Sequence, residues 1–177
     1  DAEKKDLARL VTGMFIVTPF ALILLAQASS DVYRYSVSIL SLSLLVLVGA
    51  GIRYKGRLNP LIIFSVGGLG GLTGGLTGIP GPPVILLYVA SSNPISVIRA
   101  NNLLFLYFFD VCVVLFFLFT GVLTLKLVLL GSLLAVPNFL GNFLGAKFFN
   151  PQKTNQYRLF AYIIIATAAI SGLPVWD

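Results

Sequence analysis

Residues 67–83 concentrate the least helical residue types of the chain inside a stretch that is otherwise apolar enough for a membrane. The backbone is predicted to break there, because glycine weakens a helix and proline ends or begins one. In lipid every peptide N–H and C=O needs a partner, so such a break survives only inside protein or beside a watery cavity. We interpret it as a binding site, with tight helix packing through small residues as the alternative interpretation of its glycines.

The rest of the chain has the composition of a membrane protein. Of its 177 residues, 58% are hydrophobic and 10% are charged, with a mean hydropathy of +0.97, which is more apolar side chain than a soluble domain of this size buries. The twelve basic residues form no stripe or arm, so nucleic acid is not an expected partner. With no histidine and a single cysteine, Cys112, the sequence indicates no metal site, no cofactor and no enzyme. We predict an all-α integral membrane protein.

Six apolar segments meet the requirement of roughly 20 residues for a helix that crosses a bilayer. They cover residues 7–28, 35–52, 61–91, 101–120, 127–145 and 158–173. The third segment contains the break, so it is predicted to be one helix, an interruption and a second, short helix over residues 84–91. Residues 1–177 are therefore predicted to form a single transmembrane domain, a polytopic helical bundle.

Two pairs of segments resemble each other, which indicates an internal duplication. The shared features are a glycine six residues before a proline and a Tyr-Arg pair near the start of the next segment: Gly13 and Pro19, Gly131 and Pro137, Tyr33 and Arg34, Tyr157 and Arg158. On this interpretation residues 1–57 are the two-helix tail of a first repeat, and residues 58–177 are a second repeat with a broken hairpin and three helices. The break of the first repeat would precede Asp1, so the chain is expected to be a fragment.

The distribution of Lys and Arg favours a re-entrant hairpin for the broken segment. If residues 61–91 enter and leave on one side, ten of the twelve basic residues share that side, and Arg34 and Lys126 lie opposite. If the segment crosses fully, the division is seven against five. The positive-inside rule predicts a strong bias. A hairpin also makes the two repeats inverted, an arrangement in which secondary transporters build a site at the bilayer midplane.

Four parts of the sequence resemble the sulfite exporter TauE/SafE family, also called the four-toluene sulfonate uptake permeases. Residues 74–86 and 98–101 resemble its glycine-rich signature, and residues 142–145 and 157–172 are similar to its C-terminal half. The resemblance spans about residues 7–177, which corresponds to the C-terminal two-thirds of a family member.

The resemblance implies a multi-pass carrier of the bacterial inner membrane for sulfite, sulfonates and other small anions. The sequence departs from the family in two ways. Pro80 and Pro82 stand where family members often carry more glycine, and the first of the two family signatures is lacking. Both departures leave the identity of the anion open.

The candidate substrate-binding residues lie in the break and in the segments that follow it. They are Gly74, Gly75, Thr77, Gly78, Ile79, Pro80, Gly81, Pro82, Pro83, Val84, Arg99, Asn101, Asn138 and Asn142. The N–H groups of residues 84–86 are expected to be free and to attract an anion at the positive end of a helix dipole. Arg99 is equally a topology charge, and Asn101 is equally an N-cap. Asn138 and Asn142 lie on one helix face, with hydrogen bonding between helices as the alternative.

Asp110 is the only acidic residue inside a predicted membrane segment, where an ionised side chain costs roughly 2.5 to 3.5 kcal/mol or more. It is either a carboxylate that couples transport to protons or a structural hydrogen-bonding residue. The sequence therefore predicts a secondary carrier for a small anion, with the lipid bilayer and a coupling proton as its other partners. The alternatives are a passive anion channel and a membrane scaffold without transport.

Overall fold

The computed structural model describes residues 2–50, 59–89, 95–148 and 154–175. Within these ranges the chain is helical, and no described residue lies in a strand. The helices are α1 (Ala2–Gln27), α2 (Ser30–Gly49), α3 (Pro60–Thr77), α4 (Gly81–Val89), α5 (Ile95–Phe119), α6 (Leu125–Phe148) and α7 (Thr154–Ser171).

The prediction of a polytopic helical membrane protein is confirmed. Four helices of the described part, α1, α3, α5 and α6, are long and apolar enough to cross a membrane. Pro19 in α1 and Pro137 in α6 lie inside helices that continue through them. The helix predicted to begin at residue 101 begins at Ile95 instead.

The predicted break is present between α3 and α4, and the chain turns back there. The N-cap of α3 is Asn59, whose Oδ1 accepts a hydrogen bond from the N–H of Ile62 at 2.8 Å. α3 ends at Gly78, whose φ of 76° lies in the left-handed region that glycine enters at little cost. Beyond the turn, Pro80 lies beside Gly70, where an added Cβ would be 3.0 Å from the proline carbonyl oxygen. The two helices therefore form a hairpin.

The hairpin has the shape of a re-entrant segment, and its position in a membrane stays a prediction. Ile62 near the start of α3 lines the same cavity as Leu86 and Leu87 near the end of α4, so the helices are antiparallel. The 18 residues of α3 rise about 27 Å, nearly the roughly 30 Å of the hydrocarbon core. The tip of a hairpin that begins at one surface therefore lies past the bilayer midplane. The sequence analysis expected the break at the midplane.

One face of α3 is made of glycines against which α1 packs closely. An added Cβ on Gly67 would overlap the backbone of Leu10, and one on Gly71 would lie 2.8 Å from the carbonyl oxygen of Met14. From the other helix, an added Cβ on Gly13 would overlap the carbonyl group of Phe64. Such close approach matters in a membrane because lipid is as apolar as the side chains, so packing rather than water exclusion holds the helices together.

A second row of glycines on α3 receives two aromatic side chains from α5. An added Cβ on Gly70 would lie 2.8 Å from the ring of Phe105, and one on Gly74 would lie 2.5 Å from the ring of Phe109. Both rings are buried in a core that also contains residues of α1 and α4. The glycines thus hold α3 between α1 and α5.

The other helices lie outside this core. α2 packs against α7 and against α3. Every α6 residue whose side chain is described is exposed. The predicted duplication pairs α6 with α1, which packs against α3, so the two helices have different surroundings in the described part. The repeats over residues 1–57 and 58–177 stay a prediction.

Replacing Gly71 by alanine is expected to destabilise the protein by about 1 to 3 kcal/mol, the usual cost of overpacking. The new methyl group would lie 2.8 Å from both the Met14 carbonyl oxygen and Thr18 Oγ1. Thermal unfolding of the purified protein in detergent measures this cost. Gly141→Ala is the matched control, because nothing lies within 4 Å of a Cβ added there. Equal unfolding midpoints for the two variants would contradict the role of Gly71 in packing.

Candidate functional site

The hydrogen-bond donors at the end of α3 bind carbonyl groups of the same helix. The N–H of Gly78 donates to the carbonyl of Gly74 at 2.7 Å. The hydroxyl of Thr77 donates to the carbonyl of Thr73 at 2.7 Å. These two bonds stabilise the last turn of α3, so neither donor is directed to a ligand.

The N–H groups of residues 84–86, expected to be free, are engaged inside α4, so that expectation is wrong. Because α4 begins at Gly81, its hydrogen bonds join these N–H groups to the carbonyls of residues 80–82. Pro82 and Pro83 fill the first turn of α4 and have no N–H. The backbone therefore offers few hydrogen-bond donors to an anion at the break. The partial positive charge at the N-terminus of α4 is the electrostatic attraction that remains.

Gly74 and Gly75 pack against other helices, and their assignment to the substrate site stays a prediction. A Cβ added to Gly74 would lie 2.5 Å from Phe109 and 2.7 Å from Pro80. A Cβ added to Gly75 would lie 2.5 Å from the Cβ of Ala21 in α1. Both glycines are buried, so packing through small residues explains this part of the stretch.

The remaining residues of the break divide between the core and three cavities. Pro80, Gly81 and Val84 are buried, and Gly78 is exposed. Ile79 and Pro82 line cavities that face α2 and α7. Pro83 lines a cavity between α2, α3 and α4. The side of the break that is open to a ligand is therefore the side that faces α2.

Arg99 and Asn101 lie within α5 instead of in a loop before it, because the helix begins at Ile95. Because Asn101 lies inside α5 and not at its start, the N-cap interpretation is wrong, and its side chain is buried at 9% exposure. Arg99 is exposed. Neither residue lines the cavities beside the break.

Asn138 and Asn142 share one face of α6, as the spacing predicts. The Nδ2 of Asn142 donates to Oδ1 of Asn138 at 2.7 Å and to its carbonyl oxygen at 3.0 Å. Both side chains are exposed and line a shallow groove on α6. This groove is lined by α6 residues alone, so the structure does not bring the two asparagines to the break.

Asp110 lies on the exposed side of α5. Its neighbours Phe109 and Cys112 are buried at 5% exposure each, so the carboxyl group points away from the packed core. It lines neither of the cavities that contain Ile79. A proton-coupling role therefore stays a prediction, and it does not involve direct contact with a ligand at the break.

The sequence analysis missed a cleft between α2, α7 and the break. Its volume is about 410 Å³, and Ile79 forms its wall on the side of the break. From α2 it is lined by Arg34, Ser38 and Ser41, which are spaced to share one helix face. That spacing of polar residues on an apolar helix is the signal from which the cleft could have been found.

Among the residues whose side chains the structure describes, Arg34 is the basic residue that lines the cleft beside the break. It is half-buried, and its Nε donates to the carbonyl oxygen of Gly172 at 3.1 Å. Arg9, which is also half-buried, forms an ion pair with Asp6 at 2.7 Å. Among the described residues, no group of three or more potential metal ligands occurs. A half-buried guanidinium beside the break suits an anion.

A family model described as sulfite exporter TauE/SafE matches residues 1–172 of the chain. No curated protein and no solved structure matches the chain. The match covers nearly the whole chain, including the break and the helices that line the cleft.

Replacing Gly78 by alanine is expected to destabilise the hairpin by about 1 to 2 kcal/mol, because an L-residue is strained in the left-handed region. The strain arises from the φ of 76°, since nothing lies within 4 Å of an added Cβ. Gly81→Ala is the control, because its Cβ would make an ordinary 3.7 Å contact with Leu106. Thermal unfolding in detergent compares the two variants. A Gly78→Ala protein as stable as Gly81→Ala would contradict the left-handed cap.

Proposed function

Because this chain belongs to the sulfite exporter TauE/SafE family, we propose that it is a secondary carrier for sulfite, a sulfonate or another small sulfur-containing or organic anion. The family is one of membrane transporters, and transport of sulfur anions is the function that it implies at family level. The family match is the observation that carries the proposal. A transporter of this kind is not an enzyme, and it needs no cofactor.

The helical hairpin supports a carrier. Secondary transporters commonly build substrate sites from discontinuous helices, where irregular backbone lines a cavity. In this chain the interruption between α3 and α4 turns Ile79 and Pro82 toward cavities. The proposed substrate site therefore consists of the residues of the break that line these cavities and the helices opposite them.

Two further properties belong to the proposal. The protein is multi-pass, and the membrane in which it works is the inner membrane of a bacterium. The coupling ion is a proton taken up by Asp110, because an acid inside an apolar helix of 25 residues is costly and calls for a functional reason. Asp110 is exposed on α5, outside the packed core.

Proteoliposomes that contain the purified protein are expected to accumulate sulfite or toluenesulfonate against its gradient when a pH gradient is imposed. A carrier couples the two fluxes, whereas a channel equilibrates the anion only. The measurement is uptake with and without a proton ionophore, with empty liposomes and a similarly sized organic cation as controls. Flux that never exceeds equilibrium would make the protein a channel, and a preference for the cation would contradict an anion site.

Asp110→Asn is expected to insert and fold but to lose dependence on the pH gradient, because the amide keeps the shape of the carboxyl group without its titration. Exchange of anion for anion across the membrane should continue, since it needs no net proton movement. Tyr107→Phe is the matched control, because Tyr107 is also exposed on α5 and its change removes one polar group. Full gradient-driven accumulation by Asp110→Asn would make the carboxyl group structural.

A further inference from the structure

The cleft beside the break has a polar end and an apolar end. Arg34 and Ser38 are at the polar end, and Ser38 is buried at 1% exposure. A second cavity of about 210 Å³ adjoins the first, because Ser41, Ile79 and Ile165 line both. The rest of its lining is mainly apolar: Leu44, Leu45, Pro82 and Tyr162. The two cavities adjoin at these three residues, so a region lined by a cation lies next to a region lined by hydrocarbon.

The end of α7 fixes the position of Arg34. Its Nε donates to the carbonyl oxygen of Gly172, just past the last residue of α7, where the negative end of the helix dipole favours a cation. Gly172 also brings α7 close to α2, since an added Cβ would lie 3.1 Å from Ser38 Oγ. The guanidinium is therefore held at the wall of the cleft by protein contacts. An arginine oriented in advance loses less entropy when it binds an oxyanion.

The shape and chemistry of the cleft select a class of ligand. A planar guanidinium matches the oxygens of a sulfonate or carboxylate, and the pairing is stronger in a half-buried site than in water. A cleft of about 410 Å³ lies in the range that holds organic molecules, and most of its lining is apolar. A bare oxyanion such as sulfite would leave the apolar part unfilled.

We propose that Arg34 binds the charged group of an organic anion whose apolar body lies along Ser41 toward Leu44 and Pro82. This inference rests on the proposed carrier function and specifies its substrate as an anion with one oxyanion group and an apolar body. It assigns Arg34 to substrate binding, where the sequence analysis counted it only as a charge that sets topology. The same chemistry occurs in a free organic sulfonate and in an anionic lipid, so the test separates these two sources.

The first measurement is equilibrium binding of toluenesulfonate to the purified protein in nanodiscs of zwitterionic lipid. Arg34→Gln is expected to weaken binding roughly tenfold or more, as for loss of a charged hydrogen-bond partner, and Arg34→Lys to restore it only in part. Lys126→Gln is the control, because it removes the same charge from an exposed position at the start of α6. Thermal unfolding of wild type and Arg34→Gln without ligand measures how much stability is lost with the contact to Gly172, independently of ligand binding. Unchanged affinity in a folded Arg34→Gln protein would overturn the inference.

The second measurement tests the apolar end. Ser41→Leu adds bulk where the two cavities join, so it is expected to weaken binding of toluenesulfonate and to leave binding of sulfite nearly unchanged. Ser43→Leu is the matched control, because it makes the same change at an exposed position of α2 that lines neither cavity. Equal losses for both anions, or no loss for either, would contradict an apolar body along this wall.

The outcomes separate failure of the inference from failure of the proposed function. If wild type transports anions and Arg34→Gln binds them equally well, the carrier function stands and this cleft is not its site. If wild type neither binds nor transports any anion, the proposed function itself fails. If phosphatidylglycerol raises the unfolding midpoint of wild type but not of Arg34→Gln, and toluenesulfonate has no effect on either, the cleft is a lipid site and the inference is overturned.

Discussion

The close approach of α1 to α3 is the contact on which the rest of the described structure depends. Hydrophobic exclusion does little between helices in lipid, so van der Waals contact between backbones must hold them. Gly67, Gly71 and Gly75 supply that contact on one face of α3, and Gly70 and Gly74 receive rings of α5 on another. α3 is thereby held from two sides. A rigid α3 fixes the turn at its end and the direction in which α4 leaves.

The prolines at the turn reduce a cost that any break in a membrane helix carries. Each unpaired N–H in hydrocarbon is unfavourable, and Pro80, Pro82 and Pro83 have no N–H to pair. The break therefore needs fewer partners from water or protein than a glycine-only loop would. Because few backbone N–H groups remain at the break, the break by itself is a weak anion site. A cation from another element is then needed, and Arg34 of α2 is the one that lies beside Ile79.

The sequence predicted the helices and the break well, because apolar length and clustered glycine and proline are local signals. It predicted the roles of individual residues less well. A glycine in the sequence looks the same whether it lines a cavity or packs against another helix. Gly74 packs against Phe109 and Gly75 against Ala21, and these contacts depend on where the neighbouring helices lie. The start of α5 at Ile95 was missed because the residues before Asn101 are less apolar than those after it. Arg34 was missed because its partners are remote in sequence: Gly172 follows it by 138 residues.

The separation of Asp110 from Arg34 limits how a proton and an anion could be coupled. The carboxyl group is exposed on α5, whereas the cleft lies between α2, α7 and the break, so the two charges do not share a site. Direct competition between proton and anion is therefore not the mechanism that this geometry supports. The contact between α5 and the hairpin is the physical connection: Phe109, next to Asp110 in sequence, packs on Gly74, and Pro80 at the turn lies beside the same glycine. A change in the position of α5 would act on the break through this ring, because a closely packed contact transmits displacement rather than absorbing it.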